Sequence, residues 1–268
     1  MTDHERVTVE ILGAQLDGAA IGRCDEKLVL VPAVDACGQC DVCRRGGATV
    51  CPSARARAEV VPGASIEMSS RWLVPLGDGL ELPVPYGAAV AGEVATAYTL
   101  YARTGLAPRD PVVVVGASAV TRFLVEILIG KGITPTVLAD ASHATWISWL
   151  GERGAQVAQS LGEIGERIAA QGNGARPWRV IATTPASAAI GATLCGPRAT
   201  LTVLAPAPFA LDLGAALARE VTIIGVTTAH PDLIVEAAAM VARGEVRLLD
   251  GVELGTATDA TLALVLTS

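Results

Sequence analysis

The chain has 268 residues, 51% of them hydrophobic, and a formal net charge of −7, which is a globular composition long enough for one large or two small domains. The acidic balance and the lack of a basic run argue against nucleic acid and anionic membrane as partners. The charged opening MTDHERVTVE has no apolar signal core and no apolar run is long enough to span a bilayer, so a cytoplasmic protein is expected.

The chain divides near residue 86. Before it come short β-like runs such as Leu28–Val31, together with turns and a cysteine cluster. Cys37, Cys40, Cys43 and Cys51 stand in C-G-Q-C-D-V-C-R-R-G-G-A-T-V-C, a spacing that lets one loop supply four thiolates to a tetrahedral Zn²⁺. Such a closed set leaves no position for water or substrate, so the expected zinc is structural. The alternative, four free thiols this close together, would be an oxidation liability. Cys24 and Cys195 fall outside the pattern and read as packing residues.

After residue 86, strands and helices alternate, as in a parallel sheet covered on both faces. Val112–Val115 is a buried strand, and a helix follows from about Ala119, with Val120, Phe123, Leu124, Ile127 and Leu128 on one face and Gly130 ending it. Thr136–Ala139, Gln156–Ala158, Arg179–Ala182, Thr200–Leu204 and Val221–Gly225 supply five more strands. Helices are expected over His143–Leu150 and Ile164–Ala170, and a last one from Pro231 to a stop at Gly244. Six strands with intervening helices match the doubly wound dinucleotide-binding architecture.

The C-x2-C-x2-C-x7-C lobe resembles that of the medium-chain dehydrogenase/reductase family, which includes the zinc-containing alcohol dehydrogenases. The resemblance runs over nearly the whole chain: L-V-L-V-P-A-V before the lobe, Ala95-Thr96-Ala97-Tyr98 as a turn opening the crossover, and V-V-V-V-G-A-S-A-V-T as the nucleotide-binding turn. The stretch from C-R-R-G-G to V-V-P-G looks most like the branch acting on cyclic hydroxyacyl-CoA thioesters. The resemblance implies an α/β chain in three parts: a truncated GroES-like β domain over 1–86 with its zinc lobe at about 37–51, a Rossmann domain over 87–245, and a segment over 246–268 returning to the first domain.

The pattern breaks where the family holds its catalytic zinc. The segment carrying the first Cys ligand is expected to be missing at the start. The G-H-E-x-x-G motif reads Gly13-Ala14-Gln15-Leu16-Asp17-Gly18, with Ala14 in place of the ligand, and the third ligand falls at or beside Gly92 with Glu93 one place off. A catalytic zinc needs three protein ligands, and of the histidines His4, His143 and His230 none replaces them convincingly. Loss of the catalytic zinc is expected.

The nucleotide turn G-x-G-x-x-G keeps Gly116, but Ser118 and Thr121 stand where the second and third glycines would be. Asp140, 24 residues after Gly116, is either the acid that holds the ribose of NAD(H) or a helix N-cap. Thr183-Thr184-Pro185, Arg198-Ala199 and Ala205 replace further glycines of that face.

Three functions compete. The first is a diverged, zinc-free, NAD(H)-dependent oxidoreductase acting on a small carbonyl, enoyl or acyl-CoA-type substrate, with Gly116, Ser118, Thr121 and Asp140 at the cofactor. The second is a non-catalytic subunit paired with an active homologue. The third is a repurposed non-redox enzyme, a cyclase or isomerase, with Gln15, Glu93, Tyr98 and Ser118 as polar groups near its substrate. Sheet edges left open around Val7–Leu12 and Leu80–Val84 predict an oligomer, with itself or with a related dehydrogenase.

Overall fold

The computed structural model describes residues 5–248 except 16, 56–59, 78–83, 108–109, 141–143, 172–175 and 205–209, together with the backbone of two strands near the C-terminus. Expectations for His4, His143, Ala205 and the edge at Leu80–Val84, apart from Val84 itself, which is helical, fall outside the described residues. By internal contacts the chain forms two compact units. One comprises residues 1–98 with 228–265, and the other is essentially residues 99–227.

The first unit opens with an antiparallel sheet: β1 (Arg6–Ala14), β2 (Ala20–Cys24), β3 (Lys27–Val31), β4 (Ser65–Ser69) and β5 (Val74–Pro75), in the order β4-β1-β2-β3-β5. The expected open edge at Val7–Leu12 is not found, because β1 is paired on both sides. Residues 6–10 pair with β4 and residues 10–14 with β2. Alternation along β1 sends Val9 and Ile11 into a core shared with Met68, Ile66 and Trp72, whereas Thr8 and Glu10 face water. The first helix, α1 (Asp41–Arg44), lies inside the cysteine lobe.

Residues 84–104 are helical throughout, as α2 (Val84–Ala89), a π-helical segment (Val90–Val94) and α3 (Ala95–Thr104). The turn expected at Ala95–Tyr98 is therefore helix instead. Ala95, Thr96 and Ala97 are buried, and small side chains at a buried position resemble a turn in sequence without forming one.

The second unit is built on six parallel strands: β6 (Val112–Val115), β7 (Thr136–Leu138), β8 (Gln156–Ala158), β9 (Arg179–Ala182), β10 (Thr200–Leu204) and β11 (Thr222–Val226). Their order, β11-β10-β9-β6-β7-β8, reverses direction between β6 and β9, which is the doubly wound arrangement. All four valines of β6 are buried, as a central strand covered on both faces requires.

The helices of this unit are α4 (Ala119–Gly130), α5 (Ala144–Glu152), α6 (Leu161–Ala170), α7 (Ser187–Leu194) and α8 (Leu213–Ala218). The α4 helix is capped by Ser118 and ends at Gly130 as expected, with Gly132 at φ +74° making the left-handed exit just beyond it. The α6 helix starts three residues earlier than its apolar pattern suggests. Ser160 caps it at the Glu163 N–H, and the Glu163 carboxylate in turn accepts from the Gln159 N–H.

The chain returns to the first unit with a 3₁₀ turn at Pro231–Leu233 and α9 (Ile234–Ala242), ended by Gly244 at φ +71°. The last strands are β12 (Val252–Thr256) and β13 (Leu262–Leu266), which pair with each other.

Candidate functional site

In the lobe of the first unit, Cys37, Cys40, Cys43 and Cys51 bring their four sulfurs within 4.8 Å of one another. Individual Sγ separations are 3.5 Å for Cys37–Cys51, 3.8 Å for Cys40–Cys51 and 4.0 Å for Cys37–Cys43. Metal–thiolate bonds of about 2.3 Å in a tetrahedron put sulfurs about 3.8 Å apart, so the arrangement fits Zn²⁺ with no ligand to spare.

The loop earns this shape locally. Gly38 and Gly46 take φ values of +71° and +79°, and the Cys40 sulfur accepts from the Cys43 N–H at the start of α1. The N–H groups of Gln39 and Cys40 hold the Cys37 thiol down to about 6, whereas burial, followed by the Cys51 and Cys40 sulfurs, pushes Cys43 up to about 12. Cys37 gives up its proton readily and Cys43 does not, which is the charge problem a divalent cation solves.

Residues outside the cysteine pattern brace the lobe. Arg71 Nη1 donates to the Gly38 carbonyl at 3.0 Å, and the Trp72 indole N–H donates to the Ala36 carbonyl at 2.7 Å. Asp35 is 3% exposed and accepts from Arg6 at 3.0 Å. His230 Nε2 lies 2.8 Å from the Gly46 carbonyl, and its Nδ1 accepts from the Asp232 N–H, which makes Nε2 the protonated nitrogen. None of these partners is visible as a motif. Cys24 packs at the edge of this core, and Cys195 is buried in the other unit.

The positions matching the family's catalytic zinc ligands do not fit a metal. Ala14 and Gly92 carry no donor, and the cysteine cluster is the one group of metal-ligating residues found among the described residues. Both glycines of the matching motif have backbone roles. Gly13 follows a register shift between β1 and β2, and Gly18 turns at φ +87°.

Gln15 nevertheless packs against Gly92, the chain neighbour of Glu93. A β-carbon at Gly92 would stand 3.3 Å from Gln15 Cγ, 3.4 Å from Ala19 Cβ and 3.6 Å from Asp17 Oδ1. Gln15 Nε2 and Glu93 Oε2 are shut off from solvent without a hydrogen-bond partner. Burial, with Asp17 adding to it, raises Glu93 to about 8. Of the other polar candidates, Tyr98 follows on α3 and Ser118 belongs to the second unit.

In the second unit, Gly116 leaves β6 at φ +116°, and a β-carbon there would strike Thr183 Oγ1 at 2.5 Å. Ser118 Oγ accepts from the Thr121 N–H at 3.2 Å, so it acts as the cap of α4. Thr121 is fully buried, its hydroxyl 2.6 Å from that of Thr183, which donates to the Val115 carbonyl. The side chain in the third glycine's place therefore points into the protein. Val115 and Leu138 are register partners, so Gly116 and Asp140 leave the same ends of neighbouring parallel strands. Asp140 is exposed, and the residues between it and Ala144, where the described part of α5 begins, lie outside the described residues.

No family model matches the sequence, and no curated protein sequence matches it. Solved structures do match. A short chain alcohol dehydrogenase (RspB) from E. coli CFT073, complexed with NADH, is 16% identical, with 90% of this chain and 81% of that one covered at a TM-score of 0.70. The D-arabinose dehydrogenase from Sulfolobus solfataricus is 18% identical, with 91% and 89% covered at 0.70. A cobalt- and zinc-bound thermostable alcohol dehydrogenase from Pyrobaculum aerophilum is 16% identical, with 90% and 82% covered at 0.71. At these identities the likeness is one of fold: the chain has the fold of the zinc-type alcohol dehydrogenases.

Proposed function

We propose that the protein is an NAD(H)-dependent oxidoreductase of a small carbonyl, enoyl or acyl-CoA-type compound, with zinc confined to the cysteine lobe. The observation that carries this reading is the shared exit of Gly116 and Asp140 from β6 and β7, next to the reversal of strand order between β6 and β9. A crevice at the carboxyl ends of such strands is where doubly wound sheets take dinucleotides. Small residues, Gly116, Ala117 and Ser118, line the turn, with Ala117 exposed, and the N-terminus of α4 offers its positive end to a pyrophosphate. Asp140 would accept from the ribose hydroxyls. Thr121 shapes the turn from behind. The bound nicotinamide would supply hydride transfer, and the chain would supply binding and orientation.

Titration calorimetry with NAD⁺ and NADH tests the reading. Micromolar binding that Asp140→Ala abolishes supports it, and no binding at millimolar cofactor overturns it.

We further propose that two copies pair through β11, the terminal strand of the parallel sheet. Thr222, Ile223 and Gly225 of this strand are exposed. Size-exclusion chromatography with light scattering should give twice the chain mass of 27.3 kDa. A monomer would overturn the pairing.

A further inference from the structure

The seat beside Gly92 holds two polar atoms, Gln15 Nε2 and Glu93 Oε2, that the fold itself leaves unpartnered. Gln15 is 5% exposed, and its Nε2 finds no acceptor. Glu93 Oε2 is equally enclosed and finds no donor. Their neighbour Asp17 is engaged through both oxygens, with Oδ1 accepting from the Ala19 N–H at 2.9 Å and Oδ2 from the Thr228 hydroxyl at 3.4 Å. Buried polar groups are ordinarily satisfied, so two orphans in the neighbourhood of Gly92 and Asp17 point to a partner from outside the chain. Glu93 also stands in the π-helical segment, a local widening of the helix that recurs at functional sites.

The chemistry of the pair narrows the ligand. An amide nitrogen can only donate. A carboxyl enclosed away from water and facing the negative charge of Asp17 keeps its proton, and in that form it donates too. We infer that Gln15 and Glu93 form a two-donor seat for the carbonyl oxygen of a small neutral ligand, a ketone or a carboxamide. One sp² oxygen has two lone pairs and takes both bonds. An anionic ligand would bring its charge up to Asp17. This inference rests on the oxidoreductase reading only in the choice of a carbonyl compound. The seat lies wholly within the first unit.

The test uses the full chain without any nicotinamide. Cyclohexanecarboxamide, ¹³C-labelled at the carbonyl, is titrated against the carboxylate of the same shape at neutral pH. The amide should bind, its carbonyl resonance should move downfield, and the carboxylate should bind at least about tenfold more weakly. Gln15→Leu should weaken amide binding by about tenfold and shrink the shift, whereas Glu93→Gln, which keeps an N–H donor, should retain both. Thermal denaturation checks that each variant is folded.

Four results would overturn the inference: equal amide binding by wild type and Gln15→Leu, preference for the carboxylate, no amide binding at millimolar concentration, or binding that a chelator removes, which would put a metal in the seat. Cofactor titration reads a different unit with a different probe, so failure there leaves this result standing, and the reverse also holds.

Discussion

The hydroxyls of Thr121 and Thr183 lie 2.6 Å apart, joining the first turn of α4 to the end of β9. Ser118 lies 3.0 Å from Thr121 on one side, and Thr183 donates to the Val115 carbonyl on the other, so one proton order runs through all three hydroxyls. Where the parent motif lets helix and strand touch through a glycine, this chain spaces them with a hydrogen-bonded pair. Thr121→Val keeps the shape and removes the bond. It should cost about 1–2 kcal/mol in chemical denaturation, and the double variant with Thr183→Val should cost less than the sum of the two singles. Additive losses would mean that the two hydroxyls act separately.

Purified protein should carry one zinc per chain by elemental analysis. Cys51→Ser should lose that metal and melt well below wild type. His230→Ala, which leaves all four thiols in place but removes the bond to the Gly46 carbonyl, should keep the metal and release it to a chelator faster. Unchanged release would show that the lobe is set by the cysteines alone.

Glu93 should give the protein a pH-dependent stability of definite sign. Its pKa rises from 4.5 to about 8 in the folded chain through burial and Asp17, so the folded state holds a proton that the unfolded state gives up. That contribution is complete below about 4.5, falls as the pH climbs, and is gone above about 8. Glu93→Gln should flatten the decline in denaturation midpoints between those limits, and an unchanged slope would assign the decline to another group.

Arg198 adopts φ +57° with its side chain in solvent, and its ion pair with Glu220, at 3.6 Å between exposed side chains, offers little in return. The backbone still takes the left-handed turn for which a glycine was expected at Arg198-Ala199. Arg198→Gly should raise the melting temperature by about 2–4 °C, since relief of the strained φ is worth about 1 kcal/mol. A lower melting temperature would show that the loss of backbone order in the unfolded chain outweighs the strain.

Much of the second unit could be read directly. The runs at Val112–Val115, Arg179–Ala182 and Thr200–Leu204 are short, apolar and bounded by turn residues, and they are strands over those same residues. The α7 helix could not be read that way. Ser187–Leu194 turns mostly small residues inward (Ser187, Ala188, Gly191, Ala192) and leaves Ile190 exposed, so its buried face does not stand out as an apolar stripe. The cysteine spacing disclosed the lobe, whereas its braces Asp35, Arg71 and His230 are lone polar residues scattered along the chain. Gln15 and Glu93 were both singled out as polar candidates, but their shared neighbourhood depends on a turn ending β1 and a widened helix turn, neither of which has a sequence period. The open edge expected at Val7–Leu12 failed because β4, over fifty residues later, closes it.

The first unit is assembled from two stretches of chain separated by the whole of the second. On the ribosome, the four lobe thiols emerge long before His230 does, and residues 99–227 can complete their own sheet in the interval. A nascent lobe is thus a group of reduced thiols waiting for its last brace. Whether metal or oxidant reaches it first during synthesis decides whether the finished chain carries a knuckle or a misplaced disulfide.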